Sequence, residues 1–348
     1  MRCSAITGKI FELHNLEGHI ESQDRLLGIM QDLPEDIPIH QPVPALVEDI
    51  SRVHHPGYLA WLRQQCLQYN EFDPLCDSGW SGGYFEQYTF VSGFIDQNTY
   101  VNPYSYEVAC YAAGSAVAAM ERTLSGESCF ALVRPPGHHA GPTRAMGYCL
   151  LNNAAVAAAK ALNSVDRVAI IDWDAHHGNG TQEIFYRNDR VLYCSIHTTS
   201  AFPYTGPIGE TGAGVGAGFT VNAPIQRGSG IGDYAEVFNN VFVPILDRFQ
   251  PDIVIVSAGQ DILTDDPAGI MRIEPEDFLF LTGALLDATS LPLALVLEGG
   301  YGSSHPEAIR NIFSALGGNR YTREISPPSR TTRDLVSVLR KLHHLPYS

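Results

Sequence analysis

The chain has 348 residues, 45% apolar and only 17% charged, so it can bury a large core and does not resemble a disordered protein. Its formal net charge of −16 disfavours direct binding to nucleic acid, which requires a basic surface. The seven cysteines include no Cys-x-x-Cys pair, and the sequence shows neither a signal-like N-terminus nor a membrane-length apolar run. We therefore expect a cytoplasmic protein with free thiols.

Short apolar runs alternate with helical patterns through most of the chain. Five runs predict strands buried on both faces: Cys129–Val133, Arg167–Asp172, Val191–His197, Asp252–Ser257 and Leu293–Leu297. Helices are predicted at Tyr106–Thr123, Asn153–Leu162, Asp233–Phe249 and Pro275–Ala288, and Pro244 predicts a kink in the third. This alternation predicts an α/β fold with one open, mostly parallel sheet and helices on both faces. Because there is no internal repeat or clear linker, we predict one domain over residues 1–348.

Polar, glycine-rich segments follow directly after four of the predicted strands. They are Arg134–Gly141, Asp172–Gly180, Ser257–Asp266 and Glu298–Gly302. In open parallel sheets, ligands bind beyond the carboxyl ends of the strands. We therefore expect these four loops to converge on one edge of the sheet. In contrast, Glu71–Val101 is rich in glycine and aromatic residues and predicts an irregular loop.

The loop after the second predicted strand carries the densest set of metal-binding side chains. Residues two apart on extended chain project to the same side, so Asp174 and His176 can face one point. Asp261 can supply a second carboxylate from another loop. Two Asp and one His with an open position suit catalytic Zn²⁺. An isolated Asp-x-His is about as often a pair of hydrogen-bonded loop residues, but the neighbouring polar loops favour a metal site.

Two adjacent histidines, His138 and His139, lie in the first of the four loops. Asp172 could orient one ring and Asn179 the other. A histidine paired with Asp should have the higher pKa, whereas one paired with Asn stays neutral more readily and suits a general base.

The last of the four loops carries a tyrosine between glycines. These glycines let the backbone approach other groups closely and leave Tyr301 free to turn. A phenol facing a metal-bound carbonyl is a suitable donor to the oxyanion of a tetrahedral intermediate.

Several longer motifs join these features. They are PPGHHA at Pro135–Ala140, GYCLLNNAAVAA at Gly147–Ala158, DWDAHHGNGTQEIFY at Asp172–Tyr186, SIH at Ser195–His197, SAGQD at Ser257–Asp261, DP at Asp266–Pro267 and EGGYG at Glu298–Gly302. Weaker similarities are His19-Ile20-Glu21-Ser22 with Arg25, and Val53–Tyr58. The set resembles the zinc-dependent histone deacetylase and acetylpolyamine amidohydrolase family, which implies the arginase–deacetylase fold.

The resemblance also implies roles for individual residues. Asp174, His176 and Asp261 would bind one Zn²⁺, with His139 as general base and then acid, His138 as its electrostatic partner held by Asp172, and Tyr301 on the substrate carbonyl. Gly147, Tyr148 and Phe202 would wall a narrow channel. A structural K⁺ or Na⁺ would bind to Asp172, Asp174, His176, Ser195 and Ile196, and a second such ion to Phe185, Asn188, Val191 and Phe219.

Two positions bear on the choice of substrate. Family members often carry an acidic residue at the channel rim, for which Asp96 and Asn98 are both candidates here. Ala268 stands where polyamine-selective relatives can place an acidic gatekeeper, and the span Leu62–Val101 is shorter than their insertion. We therefore expect the protein to remove acetyl groups, or other short acyl groups, from lysine side chains of peptides or proteins. The chain could also form homo-oligomers.

Three other functions were weighed against this one. An acetylpolyamine amidohydrolase would share the chemistry and is the closest rival. A two-manganese ureohydrolase is disfavoured because Gly178 and Leu263 stand where bridging carboxylates are required. A non-catalytic acyl-lysine binding protein is disfavoured because the metal ligands, His139 and Tyr301 are all present.

Overall fold

The computed structural model describes residues 2–69 and 92–345. Ten strands occur in these residues: β1 (Cys3–Ile6), β2 (Ile39–His40), β3 (Gly93–Phe94), β4 (Tyr100–Val101), β5 (Ser128–Ala131), β6 (Val168–Asp172), β7 (Val191–Thr198), β8 (Thr220–Ile225), β9 (Ile253–Ala258) and β10 (Leu293–Leu297). Eight of them form one sheet in the order β2-β1-β5-β10-β9-β6-β7-β8, and every pair within it is parallel. Strands β3 and β4 form a separate antiparallel hairpin.

Helices surround the sheet and cover its apolar strands. They are α1 (Asp24–Asp32), α2 (Val47–Ile50), α3 (Pro56–Leu67), α4 (Ser105–Leu124), α5 (Asn153–Ala161), α6 (Asn179–Phe185), α7 (Ile231–Val237), α8 (Val243–Phe249), α9 (Asp277–Thr289), α10 (His305–Leu316) and α11 (Arg330–Leu342). None of the helices in the described ranges is long and apolar enough to cross a membrane. The single open α/β sheet predicted from the sequence is confirmed.

All five predicted strands are present within two residues of their predicted bounds. Every residue of β5, β6, β7, β9 and β10 is buried, as expected for strands that lie inside a sheet covered by helices. The shorter strands β1 and β2 and the edge strand β8 differ from the prediction, which places no strand at these positions. Pro224 breaks the apolar pattern of β8, and it is tolerated there because β8 pairs only with β7.

The helix predicted over residues 233–249 is built from three segments. Helix α7 passes through a wide π-helical turn at Phe238–Phe242 and continues as α8. Pro244 lies in the first turn of α8, where its missing N–H and fixed φ are compatible with a helix start. The wide turn before the proline thus takes the place of a simple kink.

The order of the strands explains where the functional loops meet. Strands β5, β10, β9 and β6 are adjacent and parallel, so their carboxyl ends lie side by side at the centre of one edge. The four polar loops predicted from the sequence leave the sheet there. The segment Glu71–Val101, predicted as an irregular loop, lies outside the described residues up to position 91, and its end forms the β3–β4 hairpin.

Candidate active site

Three predicted metal ligands come together at this edge. Asp174 and His176 follow β6, Asp261 follows β9, and their ligand atoms lie within 4.8 Å of one another. His176 Nδ1 is 3.2 Å from Asp174 Oδ1 and 2.7 Å from Asp261 Oδ2. Two carboxylates and one imidazole at this spacing form the donor set of a three-ligand zinc site with an open position.

Backbone groups orient the two carboxylates. The N–H of Ala175 donates to Asp261 Oδ1 at 2.8 Å, and the N–H of Gly299 donates to Asp174 Oδ2 at 2.9 Å. A side chain at position 299 could not be accommodated, because its Cβ would lie 2.8 Å from oxygens of both carboxylates. The glycine therefore allows the chain after β10 to pack directly against the ligands.

The charges of this cluster favour a cation. Burial and the nearby Asp174 carboxylate raise the pKa of Asp261 to about 7, although His176 opposes the shift. Burial opposes protonation of His176, but Asp261 and Asp174 outweigh it and raise the pKa of this ring well above its usual value. Positive charge between these three side chains is therefore strongly stabilised, and a divalent cation would supply it.

A second group of possible ligands, His138, Cys149 and Glu298, lies below the first. Its donor atoms are already engaged in hydrogen bonds. Glu298 accepts from the N–H groups of Gly137 at 2.6 Å and His138 at 3.0 Å, and from Ser257 Oγ at 3.1 Å. Burial also raises the pKa of the Cys149 thiol well above its usual value, which disfavours the thiolate that a metal requires. The first group is therefore the better candidate for a metal site.

The two adjacent histidines have different partners. His138 Nδ1 lies 3.1 Å from Asp172 Oδ2, and His139 Nδ1 lies 2.8 Å from Asn179 Oδ1. Burial opposes the charged form of His138, but Asp174 and Asp172 outweigh it and raise its pKa to about 10. Burial and the neighbouring His138 lower the pKa of His139 well below its usual value. The site thus contains one charged and one neutral imidazole, with ring centroids 4.1 Å apart.

Tyr301 lies on the loop after β10 and contacts two other side chains. The guanidinium of Arg25 lies 4.5 Å from its ring centroid, and the ring of Tyr148 meets it edge-on at 5.9 Å. Burial raises the pKa of Tyr301 well above its usual value, although Arg25 opposes this shift. The phenol is therefore a neutral hydrogen-bond donor at neutral pH.

A cavity of about 140 Å³ connects the predicted groups. Its lining contains Asn98, Pro136, His138, His139, Gly147, Tyr148, Asp174, His176, Phe202, Asp261, Ala268, Gly299 and Tyr301. Gly147 is required for its narrow shape, because a Cβ there would lie 2.5 Å from the ring of His139 and 2.9 Å from that of Phe202. A larger surface cavity of about 610 Å³ lies beside Arg2 and Cys3 and contains none of the predicted site residues.

The structure distinguishes between the two candidates for the rim. Asn98 lines the cavity, whereas the carboxylate of Asp96 accepts the backbone N–H groups of Asn98 and Thr99 at 2.9 and 2.5 Å. Asp96 therefore shapes the β3–β4 turn, and a neutral amide faces the pocket. Ala268 lies on the lining as predicted.

The residues predicted for a monovalent cation include two of the metal ligands and residues of the adjacent strands β6 and β7. Asp172 and Ser195 are direct partners in the parallel pairing of β6 with β7, and both are fully buried. Ser195 Oγ is 2.9 Å from His197 Nδ1, and Ile196 follows it on the same strand.

Two buried charged groups support the site without having been assigned a role from the sequence. Glu298 anchors the loop of the histidine pair, and Glu21 pairs with Arg134 at 2.7 Å where that loop begins. Acidic and basic residues are rarely fully buried unless they are paired. For Glu298, the signal in the sequence is an acidic residue directly after the fully apolar strand Leu293–Leu297.

His54, which lies in the weaker sequence similarity Val53–Tyr58, also stabilises the loop that carries the two histidines. Its Nδ1 lies 3.0 Å from the carbonyl oxygen of Gly141, and its Nε2 accepts the N–H of Asn152 at 2.9 Å. These two bonds require the neutral tautomer with the proton on Nδ1. His54 therefore ties the end of the histidine loop to the start of α5.

This arrangement predicts a pH dependence of stability. Burial lowers the pKa of His54 to about 4, although its bond to Gly141 opposes the shift. The unfolded state then binds the proton more tightly, so the stability contributed by the neutral ring is lost as pH falls below about 6.5 towards 4. Between pH 7 and 5, wild type should lose about 2 kcal/mol more of its unfolding free energy than His54→Gln. Urea unfolding at both pH values measures this difference, and equal losses in the two proteins would contradict it.

The chain is similar to known deacetylases over most of its length. The histone deacetylase domain model matches residues 19–316. The histone deacetylase-like amidohydrolase of Pseudomonas aeruginosa is 37% identical over 303 residues, which cover 83% of this chain and 74% of that protein. A probable deacetylase of Methanothermobacter thermautotrophicus is 37% identical over 329 residues, or 91% of this chain and 92% of that protein.

The fold is also similar to that of a solved structure. The crystal structure of the HDA15 HD domain matches with a TM-score of 0.86 and 32% sequence identity, covering 98% of this chain and 94% of that chain. The chain belongs to the histone deacetylase family and is a hydrolytic deacetylase.

Proposed function

We propose that the protein is a zinc-dependent deacetylase that removes acetyl or short acyl groups from lysine side chains of peptides or proteins. One observation carries this proposal: a narrow cavity ends on the cluster of Asp174, His176 and Asp261, beside a neutral imidazole and a neutral phenol. These groups are the parts that amide hydrolysis at a metal centre requires. We propose the cytoplasm as its location.

The donor set supports one zinc ion. Asp174, His176 and Asp261 would hold it, and the backbone N–H groups of Gly299 and Ala175 orient the two carboxylates. When bound, such an ion polarises a carbonyl and lowers the pKa of water. Gly178 and Leu263 occupy positions where a second metal would need carboxylates, which favours a single ion.

The protein groups around the cluster suit the proton transfers. His139, kept neutral by burial and by the neighbouring His138 and oriented by Asn179, can accept a proton from the attacking water and return it to the departing amine. His138, whose pKa is raised by Asp174 and Asp172, carries positive charge that stabilises negative charge developing beside it. Tyr301 can donate its hydroxyl proton in a hydrogen bond to the substrate carbonyl oxygen as that oxygen becomes negative.

The walls of the cavity favour a lysine side chain. Gly147, Tyr148 and Phe202 leave a narrow passage for an uncharged methylene chain. Within residues 2–69 and 92–345, its rim carries the amide of Asn98 and the methyl group of Ala268 and no acidic lining residue. The secondary amine of an acetylated polyamine would therefore lack a carboxylate partner there.

A monovalent cation is a further part of the proposal. Asp172, Asp174, His176, Ser195 and Ile196 would hold K⁺ or Na⁺ next to the zinc site. Support comes from the buried negative charge, because Asp172 and Asp174 are fully buried carboxylates and Asp174 lies within 4.8 Å of the carboxylate of Asp261. A second cation near Phe185, Asn188, Val191 and Phe219 remains a prediction from the family resemblance.

The proposal predicts a preference between two substrates. Acetate release should be faster from an acetyl-lysine peptide than from N-acetylputrescine or acetylspermidine, with at least about a tenfold difference in kcat/KM. Tyr301→Phe, measured in parallel, should lower the rate with the preferred substrate by roughly 10²-fold. Faster release from the acetylated polyamine would transfer the assignment to the rival function and leave the mechanism intact. Release from neither substrate by the zinc-loaded protein would overturn the acetyl assignment.

A further inference from the structure

The loop after β9 and the loop that carries Tyr301 are joined by one buried carboxylate. Asp266 Oδ2 accepts the backbone N–H groups of Tyr301 and Gly302 at 2.5 and 2.9 Å. Its Oδ1 accepts the N–H groups of Ala268 and Gly269 at 2.8 and 3.1 Å. The Asp266 residue is 6% exposed and is not among the residues that line the cavity.

The four hydrogen bonds connect two parts of the cavity wall. Tyr301 and Ala268 both line the cavity, and Asp266 bonds to the backbone of each. Hydrogen bonds to an ionised acceptor are roughly twice as strong as bonds between neutral groups. A single carboxylate therefore links the backbone of Tyr301 directly to that of Ala268.

The loops have little freedom to adopt another arrangement. A Cβ at Gly269 would lie 1.4 Å from the carbonyl oxygen of Asp261, so this turn is in direct backbone contact with a candidate metal ligand. A Cβ at Gly302 would lie 2.8 Å from Asp265 Oδ1. Asp266 thus holds the Tyr301 loop against the Ala268–Gly269 turn, which itself contacts the backbone of the candidate metal ligand Asp261.

The contacts of the Tyr301 side chain do not by themselves determine the position of its hydroxyl. Arg25 and Tyr148 contact the ring, and such ring contacts permit sliding along the ring plane. Within residues 2–69 and 92–345, no hydrogen bond holds the hydroxyl itself. Its height in the channel is therefore set mainly by the backbone of Tyr301, which Asp266 anchors.

We propose that Asp266 is a positioning residue for the deacetylation reaction. By accepting the N–H groups of Tyr301 and Gly302, it holds the Tyr301 hydroxyl where it can donate to the substrate carbonyl oxygen. It acts through Tyr301 and touches neither the substrate nor the metal ligands' donor atoms. This inference rests on the proposed role of Tyr301, which the experiment below tests separately.

The main test is Asp266→Asn in the zinc-loaded enzyme. Asparagine has the same shape, but its NH₂ group would face two N–H donors, so one pair of hydrogen bonds is lost. Displacing a catalytic group by about 1 Å can cost roughly 100-fold. With whichever of the acetyl-lysine peptide and N-acetylputrescine wild type prefers, kcat should fall roughly 10- to 100-fold and KM should change less than about threefold.

A double-mutant cycle separates positioning from general structural damage. If Asp266 acts through Tyr301, Asp266→Asn should lower kcat less than about threefold further in a Tyr301→Phe background. Equal losses in both backgrounds would show that Asp266 acts elsewhere and would overturn the proposal. A Tyr301→Phe enzyme as active as wild type would instead remove the proposed role of Tyr301, and the inference with it.

Asp265→Asn is a matched control on the same two loops. Asp265 accepts hydrogen bonds from Ser303 Oγ at 2.7 Å and from the N–H of Ser304 at 2.9 Å, but not from the N–H of Tyr301. We expect this variant to keep kcat within about threefold of wild type. A loss as large as that of Asp266→Asn would mean that any link between the loops matters equally, which contradicts the proposal.

A second variant keeps the test decisive if Asp266→Asn does not fold. Replacing the amide between Gly300 and Tyr301 by an ester removes the N–H that donates to Asp266 and leaves both side chains unchanged. The same direction of effect is expected, with kcat reduced at least about fivefold and zinc content unchanged. Full activity of the ester protein would overturn the proposal.

Discussion

His139→Ala is expected to lower kcat for acetyl-lysine hydrolysis by roughly 10²- to 10⁴-fold, the usual contribution of a positioned acid–base group. The reason is that His139 is the neutral imidazole on the cavity wall, with its Nδ1 held 2.8 Å from Asn179 Oδ1. KM should change little, because the removed ring transfers protons and is not the main binding surface. Steady-state kinetics together with zinc analysis of the same sample measure both effects.

Asn179→Asp provides a control that leaves the ring in place. A carboxylate next to Nδ1 favours the charged imidazole, so the pKa of His139 should rise. The protonated ring cannot accept a proton, and activity at neutral pH should therefore fall and recover as pH is raised through the new pKa. The acid limb of the kcat/KM profile would move to higher pH. An unchanged profile in this variant would indicate that His139 is not the base.

Asp261→Ala should abolish both metal binding and turnover. It removes one of three ligands, and losing the chemistry that zinc supplies costs about 4 kcal/mol or more, roughly a thousand-fold in rate. Relative to metal-free wild type the protein should still unfold cooperatively, because the substitution removes a buried carboxylate whose pKa is raised by burial and by Asp174, together with the acceptor of the Ala175 N–H. Zinc content by mass spectrometry and thermal unfolding of the same preparation distinguish a lost ligand from a lost fold.

The matched control for this variant is Asp266→Asn, at a carboxylate five positions along the same loop. Asp266 bonds only to backbone N–H groups and should leave one zinc per chain. A zinc-loaded, fully active Asp261→Ala protein would contradict the assignment of the metal ligands.

The sequence allowed the central part of the fold to be predicted because its strands are buried on both faces. Runs such as Val168–Asp172 and Leu293–Leu297 are apolar throughout and have no competing interpretation as surface helices. Strand β8 was missed because Asn222 and Pro224 interrupt it, and only its position at the sheet edge makes them acceptable. Edge strands depend on tertiary context that a local pattern does not contain.

Much of the candidate site was also accessible from the sequence, since short motifs carry its reactive groups. The spacing of Asp174 and His176, and the convergence of loops at the carboxyl ends of parallel strands, were enough to predict one cluster with Asp261. The choice between Asp96 and Asn98 could not be made, because it depends on which side chain the hairpin turn uses for its own hydrogen bonds. The supporting carboxylates were missed for a similar reason, as Glu298 and Asp266 act on backbone N–H groups of distant loops.

The most direct test of the account is acetate release from an acetyl-lysine peptide, measured with metal content before and after chelation. We predict that activity disappears when a chelator removes the metal and returns when one equivalent of Zn²⁺ per chain is added back. Activity that persists in metal-free protein, or that needs two ions per chain, would contradict a single-zinc deacetylase built on Asp174, His176 and Asp261.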